Sequence, residues 1–224
     1  VIVMVPIKTM LAHRANYGTK RGRAIEWLVM HYTANDGDSD TSNGKYFQKP
    51  LNPVASAHFF VDDDSITISV PEDYVAFHCG AYHYIHPFCR NYNSIGIEMC
   101  DAKRDGRVMA TAKTIDNAAD LAAMLCEKYN IPVDHIIRHY DVTGKLCPKY
   151  WVDDPQGIVR FRNMVKERIE MVSKCKMIID GKEIEVERIL KDGTNYIKIR
   201  DIAKALDLEV SNKGNVPILN HKGG

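Results

Sequence analysis

The most regular pattern of apolar residues in the chain runs from Thr111 to Tyr129. Apolar side chains recur there at intervals of three and four residues, which predicts an amphipathic helix that Asn130 and Pro132 end. A second helix is predicted to begin with Asp154 as its cap and Pro155 at its first position. The apolar face of this second helix comprises Ile158, Phe161, Val165, Ile169 and Val172.

Short apolar runs outside these helices predict buried strands at residues 25–32, 95–99 and 135–139. Thr41 is expected to cap a short helix that continues through Phe47. Because strands alternate with helices, the sequence predicts an α/β sandwich.

Two further β-rich runs, at residues 57–61 and 66–70, are separated by Asp62-Asp63-Asp64-Ser65, which predicts a hairpin. The three aspartates could also suggest a calcium loop. They lack the remaining alternate ligands and the terminal glutamate of an EF-hand, so we interpret them as a solvated turn.

After residue 176 the pattern changes to short alternating strands around Asp180-Gly181 and Asp192-Gly193, which are typical of hairpins. A short helix is predicted to begin near Asp201. We therefore predict one domain at residues 1–173 and a small α+β module at residues 177–224. This module contains no set of metal ligands, carboxylate pair or nucleophile with a base, so we assign it to targeting or assembly.

Charge and composition exclude several classes of protein. Thirty basic and 29 acidic side chains give a formal charge of +1, which does not favour nucleic acid or an anionic membrane as a partner. No apolar run reaches the ~18 residues of a membrane span. The apolar run at residues 1–7 lacks a basic region and is broken by Pro6 and Lys8, so no signal peptide is predicted. Six irregularly spaced cysteines favour reduced, cytosolic synthesis.

The richest chemistry lies between His139 and Cys147. Gly144 and Pro148 mark a loop that can fold back on the preceding strand, so the imidazole and the thiolate can meet one ion. Zn²⁺ accepts both ligand types, and a catalytic site uses three protein ligands. We predict His31 as the third ligand, because a buried strand holds an imidazole at its end with little freedom.

A rival zinc site comprises Cys79, His83, His86 and Cys89. Two thiols and two imidazoles are a sufficient ligand set, although their spacing matches no standard ligand knuckle. The neighbouring aromatic residues, Tyr82, Tyr84 and Phe88, fit the wall of a groove equally well.

Four separated segments occur in a familiar order: Val29-Met30-His31-Tyr32-Thr33-Ala34, Ser56-Ala57-His58-Phe59-Phe60-Val61, Ser94-Ile95-Gly96-Ile97-Glu98 and the segment from His139 to Pro148. Over roughly residues 20 to 170, the chain resembles type 2 N-acetylmuramoyl-L-alanine amidases. This family includes phage endolysins, bacterial autolysins and animal peptidoglycan recognition proteins. The resemblance implies a mixed central β-sheet flanked by helices.

The resemblance also implies roles for individual residues. Glu98 would act as general base on the attacking water, and Lys145 would stabilise the oxyanion. His58, His78 and Asn93 are predicted substrate contacts. Two departures stand out, because Ala57 replaces a tyrosine of many relatives and Phe77 replaces a tryptophan.

Asp141 is a candidate to orient a ligand histidine through its other ring nitrogen. A turn-forming contact of its carboxylate is the alternative that the sequence leaves open.

The function implied is zinc-dependent hydrolysis of the amide between N-acetylmuramic acid and L-alanine in peptidoglycan. The alternative is a non-catalytic peptidoglycan-binding module, since recognition proteins of this family keep the fold while losing ligands. An intact Cys147 favours the enzyme. Without a signal peptide, the chain would be made in the host cytoplasm, as phage lysins are, and act on the cell wall. The C-terminal module would bind the wall or form a homodimer.

Overall fold

The computed structural model describes residues 5–170, 173–191, 194–213 and 216–221. The chain divides into two compact units, with the division between Arg168 and Ile169. Within the described residues, no helix is long and apolar enough to cross a membrane.

The N-terminal unit is built on a six-stranded sheet. Among its described residues, the unit as a whole has eight strands: β1 (Ile7–Thr9), β2 (Tyr17–Lys20), β3 (Trp27–Tyr32), β4 (Phe59–Val61), β5 (Ile66–Ile68), β6 (Tyr74–Ala76), β7 (Ser94–Met99) and β8 (Ile136–Arg138). The strand order in the large sheet is β1-β5-β4-β7-β3-β8, and β2 pairs separately with β6. Only the β4–β5 pair of the large sheet is antiparallel, so the predicted mixed sheet is confirmed.

The helices of this unit are α1 (Asp40–Phe47), α2 (Ala112–Tyr129), α3 (His139–Thr143), α4 (Lys149–Asp153) and α5 (Gln156–Ile169). The predicted helix at 111–129 is confirmed: Thr111 caps it and Asn130 ends it in the left-handed conformation. Its small apolar face is fully buried at Ala118, Leu121 and Leu125. α5 buries Ile158, Phe161 and Val165 as predicted, whereas Val172 lies outside the described residues.

The predicted hairpin is also confirmed, since Phe59 pairs with Ile68 and Val61 with Ile66 in antiparallel register. Its turn is held by Asp62, whose Oδ1 accepts the backbone N–H groups of Asp64 and Ser65 at 2.9 Å each.

The predicted cap of α1 and the predicted end of the strand before α3 are wrong. Ser39, and not Thr41, caps α1: its Oγ accepts the N–H of Ser42 at 3.1 Å, and the helix begins at Asp40. The strand predicted at residues 135–139 ends at Arg138, and His139 begins α3. The reason is local, because the carboxylate of Asp141 accepts the backbone N–H of Arg138 at 2.8 Å and so caps the new helix.

The C-terminal unit is a small α+β structure. Its elements are β9 (Ser173–Ile179), β10 (Lys182–Lys191), β11 (Thr194–Ile197), α6 (Ile199–Ala205), β12 (Leu208–Lys213) and β13 (Val216–His221). β9, β10 and β11 form an antiparallel sheet, and β12 pairs with β13. Asp180 and Gly181 both have positive φ angles, +49° and +76°, as the predicted tight hairpin requires. The predicted turn at Asp192-Gly193 lies outside the described residues.

Candidate metal centre and catalytic pocket

The candidate site lies at the carboxyl edge of three parallel strands. His31 near the end of β3 pairs in register with Glu98 of β7, and Met30 pairs with Arg138 at the end of β8. Because the strands are parallel, their carboxyl ends meet at one edge of the sheet, where α/β folds commonly bind ligands. His139 follows β8 directly and therefore reaches the same edge.

Three side chains converge there. One ligand atom each from His31, His139 and Cys147 can be chosen so that all lie within 4.8 Å of one another. His31 Nδ1 lies 3.8 Å from Cys147 Sγ, and the two imidazole rings are 4.7 Å apart between centroids. All three residues are at most 5% exposed. The fold therefore brings together the three residues that the sequence analysis names as candidate ligands.

The rival set of Cys79, His83, His86 and Cys89 is not assembled. Among the described residues, the His31 group is the only set of three or more His, Cys, Asp or Glu side chains close enough to share a metal ion. His86 instead accepts the backbone N–H of Cys89 at 2.9 Å through Nδ1, and its ring contacts that of Trp27.

Burial controls the ionisation of the three candidate ligands. It lowers the pKa of His31 well below its usual value and lowers the pKa of His139 to about 3, so both imidazoles are neutral and keep a lone pair. Burial raises the pKa of Cys147 to about 12. The buried Nδ1 of His139 has no hydrogen-bond partner among the described residues. An unpartnered buried nitrogen beside an imidazole and a thiol fits a bound metal ion.

Glu98 stands next to this cluster. Its Oε1 lies 3.9 Å from His31 Nδ1, and its buried Oε2 has no hydrogen-bond partner among the described residues. Burial raises the pKa of Glu98 to about 8, while the ammonium of Lys145 acts in the opposite direction. A carboxylate with a free oxygen and a pKa near neutrality has the properties of a general base.

A pocket of about 620 Å³ opens beside Glu98, Lys145 and Cys147. The remaining residues that line this pocket were not identified in the sequence analysis. They are Tyr32, Thr33, Ala34, Asn35, Asp38, Ser42, Asn43, Tyr46, Phe47, Phe60 and Leu146. Ala57 is buried and does not line this pocket, whose phenol groups come from Tyr32 and Tyr46.

The predicted substrate contacts occupy buried positions. His58 is fully buried and accepts the N–H of Gly96 at 2.9 Å through Nδ1. The amide nitrogen of Asn93 donates to Glu26 Oε2 at 2.7 Å. His78 Nδ1 lies 3.0 Å from His31 Nε2 and thus touches a candidate metal ligand. Their roles towards substrate stay predictions.

The carboxylate of Asp141 engages the guanidinium of Arg138, with Oδ1 2.6 Å from Nη2 and Oδ2 3.0 Å from Nε. Together with the contact to the Arg138 backbone, these bonds fix the start of α3, the helix that carries His139. An orienting role for Asp141 towards a ligand ring stays a prediction.

Comparison with known proteins identifies the family. Residues 21–150 match the sequence profile of the N-acetylmuramoyl-L-alanine amidase family, type 2. This chain belongs to that family.

Individual relatives agree with this assignment. The amidase CwlL of Bacillus licheniformis is 34% identical over 192 residues, which cover 81% of this chain and 52% of CwlL. The amidase BlyA of Bacillus subtilis strain 168 is also 34% identical, over 69% of this chain and 44% of BlyA. The chain thus spans about half the length of the curated relatives it matches. The structure also matches the solved catalytic domain of XlyA, with a TM-score of 0.60 and 27% sequence identity. The matched region covers 72% of this chain and 99% of the XlyA domain.

Proposed function

We propose that this chain is a zinc-dependent N-acetylmuramoyl-L-alanine amidase that cleaves bacterial peptidoglycan. The observation that carries the proposal is the convergence of His31, His139 and Cys147 beside the carboxylate of Glu98, whose Oε2 has no hydrogen-bond partner in the described part of the chain. Relatives named as amidases of this type support the choice of bond.

His31, His139 and Cys147 would hold the ion, because two imidazoles and a thiolate are a common zinc ligand set that leaves a fourth position open. Zinc supplies Lewis acidity there, which polarises a carbonyl and lowers the pKa of water from about 15.7 towards 7.

The protein side chains perform the remaining steps. Glu98 accepts a proton from the attacking water while the oxygen of that water bonds to the lactyl carbonyl carbon. Lys145 offsets the negative charge that develops on the carbonyl oxygen. The C–N bond then breaks, and Glu98 returns the proton to the departing amine. The products are the lactyl carboxylate and a stem peptide with a free L-alanine amino group.

The pocket beside Glu98 is the proposed site of the substrate around the scissile bond. Its wall combines amide, carboxylate and hydroxyl groups with aromatic rings, a mixture suited to a sugar joined to a peptide. His58, His78 and Asn93 remain proposed substrate contacts, and they lie outside the residues that line this pocket.

We further propose that residues 1–173 form the catalytic domain and residues 177–224 a module that binds cell wall or a second copy of the chain. Large apolar side chains of this module are exposed, among them Ile178 at 71% and Tyr196 at 53%. Such side chains offer a contact surface, and a binding module attached to a hydrolase raises its local concentration on an insoluble substrate. The chain would act at the cell wall.

The proposal is tested with defined muropeptides analysed by mass spectrometry. The expected products carry a new amino terminus at L-alanine, and no new reducing sugar ends. Reducing ends in place of amines would identify a glycosidase and refute the proposal. Tight binding of wall fragments by zinc-loaded protein without any cleavage would instead support the non-catalytic binding module.

A further inference from the structure

A chain of hydrogen-bonding groups runs from the backbone to one of the candidate zinc ligands. Ser94 Oγ lies 2.7 Å from the carbonyl oxygen of Arg90 and 3.0 Å from His78 Nε2. His78 Nδ1 in turn lies 3.0 Å from His31 Nε2. Ser94 is fully buried, and His31 and His78 are 1% and 9% exposed, so water does not compete for most of these contacts.

The chemistry of the end group fixes the direction of every bond. A carbonyl oxygen can only accept, so the single hydroxyl proton of Ser94 is donated to Arg90. Ser94 Oγ must then accept from His78, whose Nε2 carries a proton. In neutral His78 the other nitrogen, Nδ1, is an acceptor, and it receives the Nε2–H of His31.

We propose that Ser94 and His78 are positioning residues that hold His31 in one tautomer, with the lone pair of Nδ1 directed at the metal position. The geometry at the other end agrees, since His31 Nδ1 is the nitrogen that lies 3.8 Å from Cys147 Sγ. The inference rests on the proposed zinc site and assigns His78 a function beyond its predicted contact with substrate.

Packing keeps the His78 ring in place. A Cβ atom added at Gly96 would lie 2.6 Å from His78 Cγ and 2.7 Å from its Nδ1, so the glycine backbone is in close contact with the ring. The ring of His58 also packs against that of His78 in an edge-to-face arrangement, with 5.6 Å between the ring centroids. The ring is therefore held by contacts as well as by its two hydrogen bonds.

The tautomers can be observed directly. Long-range ¹⁵N–¹H correlation spectra of the full, metal-free chain at neutral pH, with H31N and H78N used for assignment, should show protonated Nε2 and unprotonated Nδ1 for both His31 and His78. A proton on His31 Nδ1, or a doubly protonated His78, would overturn the proposal.

Zinc affinity gives a second readout that does not depend on catalysis. In competition with a chelator and zinc alone, H78L should bind zinc about 10–100-fold more weakly than wild type, the usual effect of losing an outer partner of a ligand. H78N should recover most of that loss, because its Oδ1 can accept from His31 in place of Nδ1. The matched control is H83N, at an exposed histidine, which should bind like wild type.

S94A provides the variant with the smallest steric change and should also weaken zinc binding. If folded S94A and H78L bind zinc as tightly as wild type does, the inference is refuted. If H78L does not fold, the zinc affinity of S94A and the spectra of the wild-type chain provide the test. Failure of the proposed function is a separate result: a chain that binds zinc and has these tautomers, but cleaves no muropeptide, refutes the amidase and leaves the positioning role intact.

Discussion

The two units of this protein use polar side chains in opposite ways. In the N-terminal unit, His31, Ser94 and His139 are buried. Ser94 Oγ lies 3.0 Å from His78 Nε2, and the rings of His31 and His139 are 4.7 Å apart between centroids. In the C-terminal unit the charged pairs lie at the surface, for example Lys174 with Glu185 and Lys198 with Glu187.

The difference follows from the cost of burying polar groups. A buried imidazole or carboxyl group destabilises the fold unless it is hydrogen-bonded, so a concentration of such groups indicates chemistry. Exposed ion pairs contribute little and are replaced easily. Substitutions of these polar groups should therefore affect function strongly in the first region and hardly at all in the second.

The largest effect is expected from removal of a candidate ligand. C147S should lose zinc and lower kcat/KM by about 1000-fold or more, because Lewis acidity supplies several kcal/mol and each 1.36 kcal/mol is tenfold. Zinc content and muropeptide cleavage measure this. The control is C126S, which changes a buried thiol of α2 and should retain both zinc and activity.

Removal of the metal by a chelator should have the same consequence in wild type, and added zinc should restore cleavage. Full activity in protein shown to be free of metal would contradict the assignment of the three ligands.

E98Q should separate metal binding from catalysis. The amide keeps the shape of the side chain but cannot accept the proton of water, so kcat should fall by roughly 100-fold or more while zinc content is unchanged. E167Q, at an exposed position of α5, is the control and should leave kcat unaltered. An E98Q enzyme with normal kcat would remove Glu98 from the mechanism.

Truncation after Ser173 tests the comparison between the two units directly. Cleavage of small soluble muropeptides should be retained, because the candidate ligands and Glu98 all precede residue 148. Lysis of intact cells should decrease by at least about tenfold if the module provides avidity. A folded truncate that has lost both activities would show that the C-terminal unit contributes to the site.

The C-terminal unit can also be tested for self-association. Sedimentation of the full chain and of the truncate would show whether residues beyond 176 support a dimer. A monomer in both cases favours wall binding over assembly.

Gly96→Ala should have a smaller effect than the variants above, and it should lower both the stability of the fold and the affinity for zinc. The new methyl group meets the His78 ring at 2.6 Å, and overpacking of this kind costs about 1–3 kcal/mol of unfolding free energy. Gly22→Ala is the matched control, because nothing lies within 4 Å of its Cβ and the residue is exposed; it should stay within about 0.5 kcal/mol of wild type. Equal stability of the two variants would contradict the close packing around His78.

Much of the fold could be predicted because its signals are local. The 3.6-residue periodicity of α2 and the continuous apolar run of β3 are properties of the sequence alone, and β3 delivers His31 to the sheet edge. The start of α3 at His139 was missed because a five-residue helix has no periodicity. It depends on the contact of Asp141 with Arg138.

The candidate ligands His31, His139 and Cys147, and the candidate catalytic residues Glu98 and Lys145, could be named from the sequence and the family resemblance, but the contacts that hold them could not. His78 and His31 are separated by 47 positions in the chain, and their contact depends on the close approach of Gly96, which no spacing rule anticipates. The pocket residues from α1 likewise reach the site through tertiary packing. Chemical identity of ligands can be recognised in a sequence, whereas the partners that orient them depend on the completed fold.

The smallest effect is expected at the surface of the C-terminal unit. Lys176 Nζ lies 2.7 Å from Glu183 Oε1, but the two side chains are 77% and 57% exposed, so solvent screens their attraction. K176Q should leave the thermal midpoint within experimental error and muropeptide cleavage unchanged. R138Q is the contrasting variant, because Arg138 is only 12% exposed and its pair with Asp141 holds the start of α3. It should lower both the thermal midpoint and zinc affinity, since His139 is the first residue of that helix. If K176Q were as damaging as R138Q, burial would not be what distinguishes the two regions.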